Sequence, residues 1–320
     1  MKKIVLTGLA VMILALTGCQ ALGDKAEAVP GSDSGEVVAS GGSGSRAEGT
    51  TDSGSEAEGT AGDGSGGVGK GESIPGSEEG TTVKLRLVEG GGSESLLLAG
   101  KNRGEVYSVS LGSSVPVYLD GRLADSSVLE DGMMLEVLFN SVLETYPAQL
   151  GGMSQIQAYS LGTEENPSGT YYDLCGLYLQ VLNDLWDVDS GLNKDIRYVS
   201  VDLSQAPGGL TEAEKDAIAW SFAGQHGVEA LTLTQEELAE EGYLTEVDTG
   251  AEYKVYQWEE GVLFSITPVE EAPDFNLSQL KFDAEKWRGP LGAYCFVDCT
   301  AVWPEGGTWS GYEVDMEAVS

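Results

Sequence analysis

A short acidic stretch in the second half of the chain carries the side chains best suited to hold a metal ion. Asp187, Asp189 and Asn193 place oxygen donors at alternating positions, and Ca²⁺ prefers carboxylate and amide oxygens. The stretch departs from an EF-hand-type loop, because Gly191 stands where a third carboxylate is expected and Tyr198 replaces the glutamate of the twelfth position. A calcium site at these three residues is one prediction, and a solvated helix end followed by a turn is the other.

Histidine, the side chain used most often in acid–base catalysis, occurs once, as His226 just before Gly227. At a helix end the dipole alone stabilises such a residue. The sequence has no Gly-x-Ser-x-Gly elbow, no Walker loop, no His-Glu-x-x-His motif and no Gly-x-Gly-x-x-Gly turn after a predicted strand. Pairs such as Glu236-Glu237 or Glu270-Glu271 suit glycoside hydrolysis only where folding sets two carboxyl groups roughly 5–10 Å apart. We therefore predict no catalytic residue and, calcium aside, no cofactor.

Three cysteines lie in the part of the chain that is predicted to fold, namely Cys175, Cys295 and Cys299. Cys295 and Cys299 are four residues apart in a strand-like run, about 13 Å at 3.3 Å per residue. That separation exceeds the roughly 7 Å between Cα atoms that a disulfide allows. Three buried thiols are predicted, and a bridge from Cys175 to either of the others stays open.

The first residues determine where such chemistry would take place. Two lysines are followed by an apolar run from Ile4 to Leu16 and by Leu16-Thr17-Gly18-Cys19, a pattern typical of an export signal. The run is shorter than the ~20 residues of a membrane-spanning helix. The last four residues match a lipobox, so the chain resembles bacterial lipoproteins. The resemblance implies a signal peptide at residues 1–18, diacylglycerol and palmitate-type acyl chains on Cys19, and an extracytoplasmic location on the cell membrane.

Residues 19–81 contain the lipid-acceptor cysteine and a segment that the composition predicts to be a disordered tether. Glycine, serine, glutamate, alanine and threonine dominate this segment, and large apolar side chains are almost missing. Its 12 acidic and three basic residues repel one another. A flexible chain of this length spans roughly 45 Å. We predict that it lifts the folded part away from the membrane.

The charge of the chain limits its partners. The formal net charge is −35, and removal of Lys2 and Lys3 with the signal peptide makes it −37. Such a charge repels nucleic acids and anionic lipid headgroups, so neither is predicted as a partner. It favours solubility and attracts cations or a basic partner.

Residues 82–160 are predicted to form a small all-β barrel. Short alternating runs separated by glycine-rich turns indicate strands, at Thr82–Val88, Ser95–Ala99, Glu105–Leu111, Val115–Leu119, Met133–Phe139, Val142–Tyr146 and Ser154–Tyr159. Residues Leu129–Val137 and Leu143–Gln149 resemble the OB-like barrel domain of Gram-positive lipoproteins of unknown function. That resemblance implies a fold but no activity.

Residues 171–320 are predicted to form an α+β domain with a C-terminal antiparallel sheet. Apolar periodicity and two capping boxes, which begin at Thr211 and Thr234, predict helices at Tyr172–Val188 and Glu212–Gln225 and a short one ending at Glu241. Strands are predicted at Asp195–Leu203, Glu229–Leu233, Tyr253–Trp258, Val262–Thr267, Leu280–Phe282, Ala293–Val302 and Trp309–Val314. The Glu259-Glu260-Gly261 turn predicts a hairpin between the third and fourth of them. The C-terminal part resembles exported Clostridia-type proteins of unknown function. The resemblance lies at Lys286-Trp287, Leu291–Tyr294, Trp309 and Tyr312-Glu313.

Together these patterns predict an α+β protein with a disordered tether, an OB-like barrel and an α+β domain. The predicted function is a non-catalytic binding module for a protein, peptide or cell-wall component, held at the cell surface by lipid. One alternative is a carboxylate-based enzyme acting on cell-wall polymer, and another is a structural or assembly lipoprotein.

Overall fold

The computed structural model describes residues 80–112, 114–166, 173–250, 253–269, 279–302 and 311–320. The predicted signal peptide, Cys19 and nearly all of the predicted tether lie outside these residues. The first described sheet has nine strands. They are β1 (Thr81–Glu89), β2 (Ser95–Ala99), β3 (Val106–Ser110), β4 (Val117–Leu119), β5 (Arg122–Ala124), β6 (Met134–Phe139), β7 (Ser141–Leu143), β8 (Ala148–Gly151) and β9 (Gln155–Tyr159).

The first sheet is open within the described residues. Its strands follow the order β5-β4-β9-β6-β1-β2-β3-β8-β7, with parallel pairs at β3–β8 and β4–β9. Closing a barrel requires the first and last strands of this order to pair. The three-residue end strands β5 and β7 do not pair with each other. The region is therefore all-β as predicted, but no closed barrel forms and the OB-like assignment is not confirmed.

Strand β2 shows why one sheet can serve two cores. All four residues from Leu96 to Ala99 are buried, a pattern typical of a strand covered on both faces. Leu96 and Leu98 pack into the core of the first sheet, together with residues such as Leu87 and Val137. Leu97 and Ala99 point the other way and join a second core.

The second sheet contains β10 (Tyr198–Asp202), β11 (Glu229–Leu231), β14 (Gly261–Pro268), β15 (Gln279–Gly289), β16 (Gly292–Val302), β17 (Tyr312–Glu313) and β18 (Met316–Val319). Its order in the described residues is β11-β10-β14-β15-β16-β17, and β18 also pairs with β16. The pairs β11–β10 and β10–β14 are parallel, whereas those from β14 onward are antiparallel. The C-terminal strands are thus antiparallel as predicted, but they belong to a sheet that is mixed as a whole.

The predicted hairpin around Glu259-Glu260-Gly261 is wrong. The strand before this turn, β13 (Val255–Gln257), pairs with β12 (Thr245–Val247). The strand after it, β14, pairs with β10 and β15. The ring of Trp258 is fully buried beneath Gly261, where an added Cβ would lie 2.2 Å from Trp258 Cε2. The chain therefore buries this tryptophan at the turn instead of folding straight back on itself.

The described helices are α1 (Leu174–Asp187), α2 (Glu212–His226) and α3 (Gln235–Glu240). Both predicted capping boxes are present, with Thr211 and Glu214 at the start of α2 and Thr234 and Glu237 at the start of α3. Gly227 ends α2 in the left-handed conformation at φ +69°, which glycine adopts without a Cβ clash. Within the described residues, no helix has the length and apolar character needed to span a membrane.

Helices α1 and α2 form a layer between the two sheets. Helix α1 contacts β1, β15 and β16, and α2 contacts β1, β2, β3, β10 and β11. The shared core joins residues of the first sheet, such as Val88 and Val106, with Phe222 of α2 and Phe264 of β14. Residues 80–160 and the α/β part that follows therefore form one compact unit. The layer order is sheet, helices, sheet.

Candidate functional site

A concavity of about 350 Å³ opens where α2 and β11 meet two turns of the first sheet. We call it the α2–β11 pocket. Its walls are mainly apolar and include Trp220, Leu231 and Leu233. Its polar lining residues include Arg103 and Asp216, and Tyr146 stands at its mouth with 55% of its surface exposed. A small apolar cavity with a few convergent polar groups is typical of a binding site.

One face of α2 supplies the floor of this pocket. Asp216, Ala219 and Trp220 are three and four residues apart, so they lie on the same side of the helix. The capping box at Thr211, five residues before Asp216, fixes where α2 begins.

Two turns of the first sheet form the opposite wall. Arg103 and Gly104 lie between β2 and β3, and Tyr146 lies between β7 and β8, just before the cis Tyr146–Pro147 bond. The Gly104 amide donates to Asp216 Oδ2 at 2.8 Å. The buried Asp216 carboxylate therefore holds the β2–β3 turn against α2.

Charges around the pocket are partly paired. Arg103 Nη2 lies 3.5 Å from Glu212 Oε2, an exposed pair. Hydrogen bonds from Thr234 hold the pKa of Glu237 below its usual range, and the positive charge of Arg103 adds to this effect. Burial and the charge of Asp216 raise the pKa of Tyr146 to about 12, against the opposing effect of Arg103. The Tyr146 hydroxyl is therefore a hydrogen-bond donor at neutral pH.

The third side of the pocket is the outer edge of the second sheet. Strand β11 is the last strand there, and it pairs only with β10 among the described strands. The residues Ala230, Leu231, Thr232 and Leu233 line the pocket along this edge. The pocket is thus bounded on one side by the backbone of an edge strand.

A second concavity, of about 240 Å³, lies at the β12–β13 ribbon. Its lining includes Glu246, Asp248 and Tyr253. Glu246 is paired with Lys254 at 3.0 Å, and Asp248 accepts the amide of Gly250 at 3.0 Å. Both carboxylates are used by local contacts, so the α2–β11 pocket is the stronger candidate.

No protein-family model, curated protein or solved structure matches this chain.

The residues predicted as calcium ligands lie around a buried ammonium group. Lys286 of β15 is fully buried, and its Nζ lies 2.8 to 3.3 Å from four backbone oxygens. These belong to residues at and just beyond the end of α1, namely Leu185, Trp186, Val188 and Asp189. Burial lowers the pKa of Lys286 to about 8, while the charges of Asp189 and Asp187 oppose that shift. The acidic loop thus stabilises a cation that the chain itself supplies.

The side chains of the predicted calcium site are arranged as follows. Asp187 and Asp189 are exposed. Asn193 donates from Nδ2 to the Trp186 carbonyl at 2.8 Å, and its buried Oδ1 has no hydrogen-bond partner in the described part of the chain. In that part, no group of three or more His, Cys, Asp or Glu side chains is arranged to hold a metal ion. Calcium binding stays a prediction.

The environment of His226 gives it a packing role. Its ring stacks on Trp186 at 3.9 Å between centroids, and its Nε2 lies 2.8 Å from Asn183 Oδ1. Burial lowers the pKa of His226, Asp187 opposes that shift and Lys286 adds to it. The His226 ring therefore packs at the end of the layer that α1 and α2 form.

The sequence leaves open a disulfide from Cys175 to one of the other two cysteines of the folded part, and this disulfide does not form. Cys175 and Cys299 are free and buried, so Cys175 pairs with neither Cys295 nor Cys299. Burial raises the pKa of both free thiols, that of Cys299 to about 12. The prediction of buried thiols is confirmed for these two residues, whereas Cys295 is not a free thiol.

The carboxylate pairs weighed for catalysis do not meet in the α2–β11 pocket. Glu236 and Glu237 are exposed at the start of α3, and Glu270-Glu271 lies outside the described residues. Sequence reasoning missed the pocket because Arg103, Tyr146 and Trp220 come from three distant segments. A sequence signal did exist for the buried ammonium at the end of α1, because Lys286 continues the buried alternation of Phe282 and Ala284.

Proposed function

We propose that this protein is an extracytoplasmic lipoprotein whose folded part is a non-catalytic binding module for a protein, peptide or cell-wall component. The anchor is the lipid on Cys19, and the glycine- and serine-rich residues after it act as a disordered tether. Support for this placement comes from the lipobox Leu16–Cys19 after a basic and apolar start. A tether spanning roughly 45 Å gives the binding module reach away from the membrane.

The observation that carries the binding function is the α2–β11 pocket. It combines an apolar floor at Trp220 with an exposed Tyr146 and the open edge of β11. Aromatic side chains at the mouth of a cavity are enriched at protein-binding surfaces. Asp216 is the one carboxylate among the described lining residues, and it already accepts the Gly104 amide. These features favour binding over two-carboxylate hydrolysis.

Lipidation is the first prediction of this proposal. Cells fed radiolabelled palmitate should label the wild-type protein and a Cys175→Ala control, whereas Cys19→Ala should lose the label and leave the membrane fraction. The reason is that the Cys19 sulfur is the lipid acceptor. Label retained in Cys19→Ala would contradict the anchor. So would mass spectrometry that recovered the Cys19 peptide unlipidated or in a disulfide.

Capture of a partner is the second prediction. A photo-reactive phenylalanine analogue placed at Tyr146 on intact cells should give discrete crosslinked species. The same analogue at Tyr253, a tyrosine that is 69% exposed at the second concavity, is the matched control. Because the pocket lies beside Tyr146, we expect at least fivefold more crosslinking there. Equal yields at both positions would contradict binding at the α2–β11 pocket.

A further inference from the structure

We propose that the α2–β11 pocket binds an extended, positively charged peptide segment of another protein, which adds to the open edge of β11 as an extra strand. One apolar side chain of that segment would lie against Tyr146 and Trp220. This inference rests on the binding function proposed above and specifies its ligand class.

The backbone of β11 has the free groups that an added strand needs. The amide of Glu229 donates to the Arg197 carbonyl beside β10 at 2.9 Å. Leu233 is likewise held on that side, because its amide and its carbonyl both bond to the Ser200 hydroxyl. In a strand, successive residues direct their backbone groups to opposite sides. Residues 230 and 232 therefore direct their N–H and C=O groups away from β10.

These outward groups line the pocket and lack hydrogen-bond partners among the described residues. Ala230 and Thr232 both lie on its wall, and no backbone hydrogen bond on that side involves either of them. Both residues are only partly buried, so a ligand can reach them. A neighbouring strand forms hydrogen bonds with every second residue of an edge strand, and Ala230 and Thr232 have this spacing.

The edge is short and begins with the charged Glu229, but it lacks the other usual protections against strand addition. Natural edge strands are commonly blocked by lysine, by proline or by a covering element. Strand β11 has the sequence Glu-Ala-Leu, with neither lysine nor proline. The pocket borders this strand along Ala230–Leu233. An edge that is free and borders an apolar cavity is typical of binding by strand addition.

Charge complementarity indicates a cationic segment. The chain from β11 into α3 contains Glu229, Glu236 and Glu237 but no lysine or arginine, and Glu229 is paired with Arg197 at 3.0 Å. Arg103, the basic residue of the pocket wall, lies beside Glu212. The net charge of −35 adds a long-range attraction for cations. Lysine or arginine residues that flank the apolar anchor would therefore face Glu236 and Glu237, which are exposed.

The pocket volume is large enough to hold one apolar side chain of a peptide. Pockets for drug-sized molecules span roughly 300–1,000 Å³, and this one lies at the lower end at about 350 Å³. Backbone pairing along β11 would provide orientation, and the aromatic pocket would select the apolar residue. The short length of β11 makes the pocket contact essential for affinity.

The experiment uses the full-length protein in detergent micelles and a fluorescent nine-residue peptide. The peptide alternates lysine and threonine around a central leucine, and fluorescence anisotropy at low salt measures its binding. We expect saturable binding that weakens at least tenfold when the two backbone amides flanking the leucine are methylated. A peptide with glutamate in place of lysine should also bind at least tenfold more weakly, because the carboxylates around the pocket repel it.

Protein variants locate the binding edge. Ala230→Pro removes an outward amide that the fold does not use, which an edge strand tolerates, and it should weaken binding at least tenfold. Tyr146→Ala should weaken binding at least threefold, whereas Tyr253→Ala should leave it unchanged. Circular dichroism verifies the fold of each variant. If Ala230→Pro does not fold, the methylated peptide on wild-type protein tests the same backbone contact.

Two results would overturn the inference. One is the lack of saturable binding by the lysine peptide. The other is binding that is unaffected by backbone methylation or by Tyr146→Ala. Either result, combined with strong crosslinking at Tyr146 on cells, would leave the binding function in place and reject strand addition. Weak crosslinking at Tyr146 would instead reject the proposed function itself.

Discussion

Replacement of Lys286 by methionine is expected to lower the free energy of unfolding by about 4 kcal/mol. The fully buried ammonium donates to carbonyl oxygens at and just beyond the end of α1. Methionine fills similar space but donates no hydrogen bond. A buried carbonyl that loses its partner costs about 1–3 kcal/mol, and several lose theirs together. Urea denaturation of the full chain measures the change.

Lys281→Met is the matched control, because Lys281 lies on the same strand and is only partly buried. We expect this change to alter the free energy of unfolding by less than about 0.5 kcal/mol. If both variants lost equally little stability, the contacts of Lys286 would not hold the end of α1.

The effect of Lys286→Met should also depend on pH. Burial lowers the pKa of Lys286 to about 8 in the folded protein, whereas an unfolded lysine titrates near 10.4. Between these values the unfolded state binds more protons, so the contribution of Lys286 to stability rises with pH, by at most about 1.4 kcal/mol per unit. The difference between wild type and Lys286→Met should therefore be larger at pH 10 than at pH 7. A difference that narrows over this range would contradict the lowered pKa.

Local sequence signals predicted the helices well. Thr211 with Glu214, and Thr234 with Glu237, each satisfy free amides at a helix start, and both boxes are present in the structure. These signals depend on residues three apart, so a single sequence contains all the information they need. Local information was also enough for the strand predicted at Ser95–Ala99, which coincides with β2.

Long-range pairing was beyond such reasoning. The turn before Gly261 looked like a hairpin, yet β14 pairs with β10, which lies about 60 residues earlier in the chain. The fully buried Trp258 ring, which packs against Gly261, favours the longer-range arrangement. The predicted barrel was wrong for a related reason. A barrel would need β5 to pair with β7, and whether these end strands meet depends on how the whole sheet curves.

The candidate site could not be predicted because its parts have no common local pattern. Arg103 and Tyr146 lie in turns of the first sheet, Trp220 on α2 and Ala230 on an edge strand. Only the packing of α2 between the two sheets brings them together. Lys286 did carry a sequence signal, since a lysine within an alternating buried pattern must find acceptors on its inward face. The acidic loop that suggested calcium lies beside that same ammonium.

Replacement of Glu214 by alanine is expected to lower the free energy of unfolding by about 3 kcal/mol. Glu214 Oε2 accepts the Thr211 amide at 2.7 Å in the capping box, and Oε1 accepts from Arg86 Nε of β1 at 3.2 Å. The side chains of Arg86 and Glu214 are only 20% and 9% exposed. Alanine therefore removes a cap and also leaves a largely buried guanidinium without its carboxylate.

The chain contains a matched control for this change in its second capping box. Glu237 accepts the Thr234 amide at 2.8 Å in the same way, but it is exposed. Glu237→Ala should therefore cost only about 1 kcal/mol, the usual value of a cap. Glu214→Gln keeps the acceptor but removes the charge, so its cost should fall between the two. Equal losses from Glu214→Ala and Glu237→Ala would mean that the Arg86 contact adds nothing to the attachment of α2 to the first sheet.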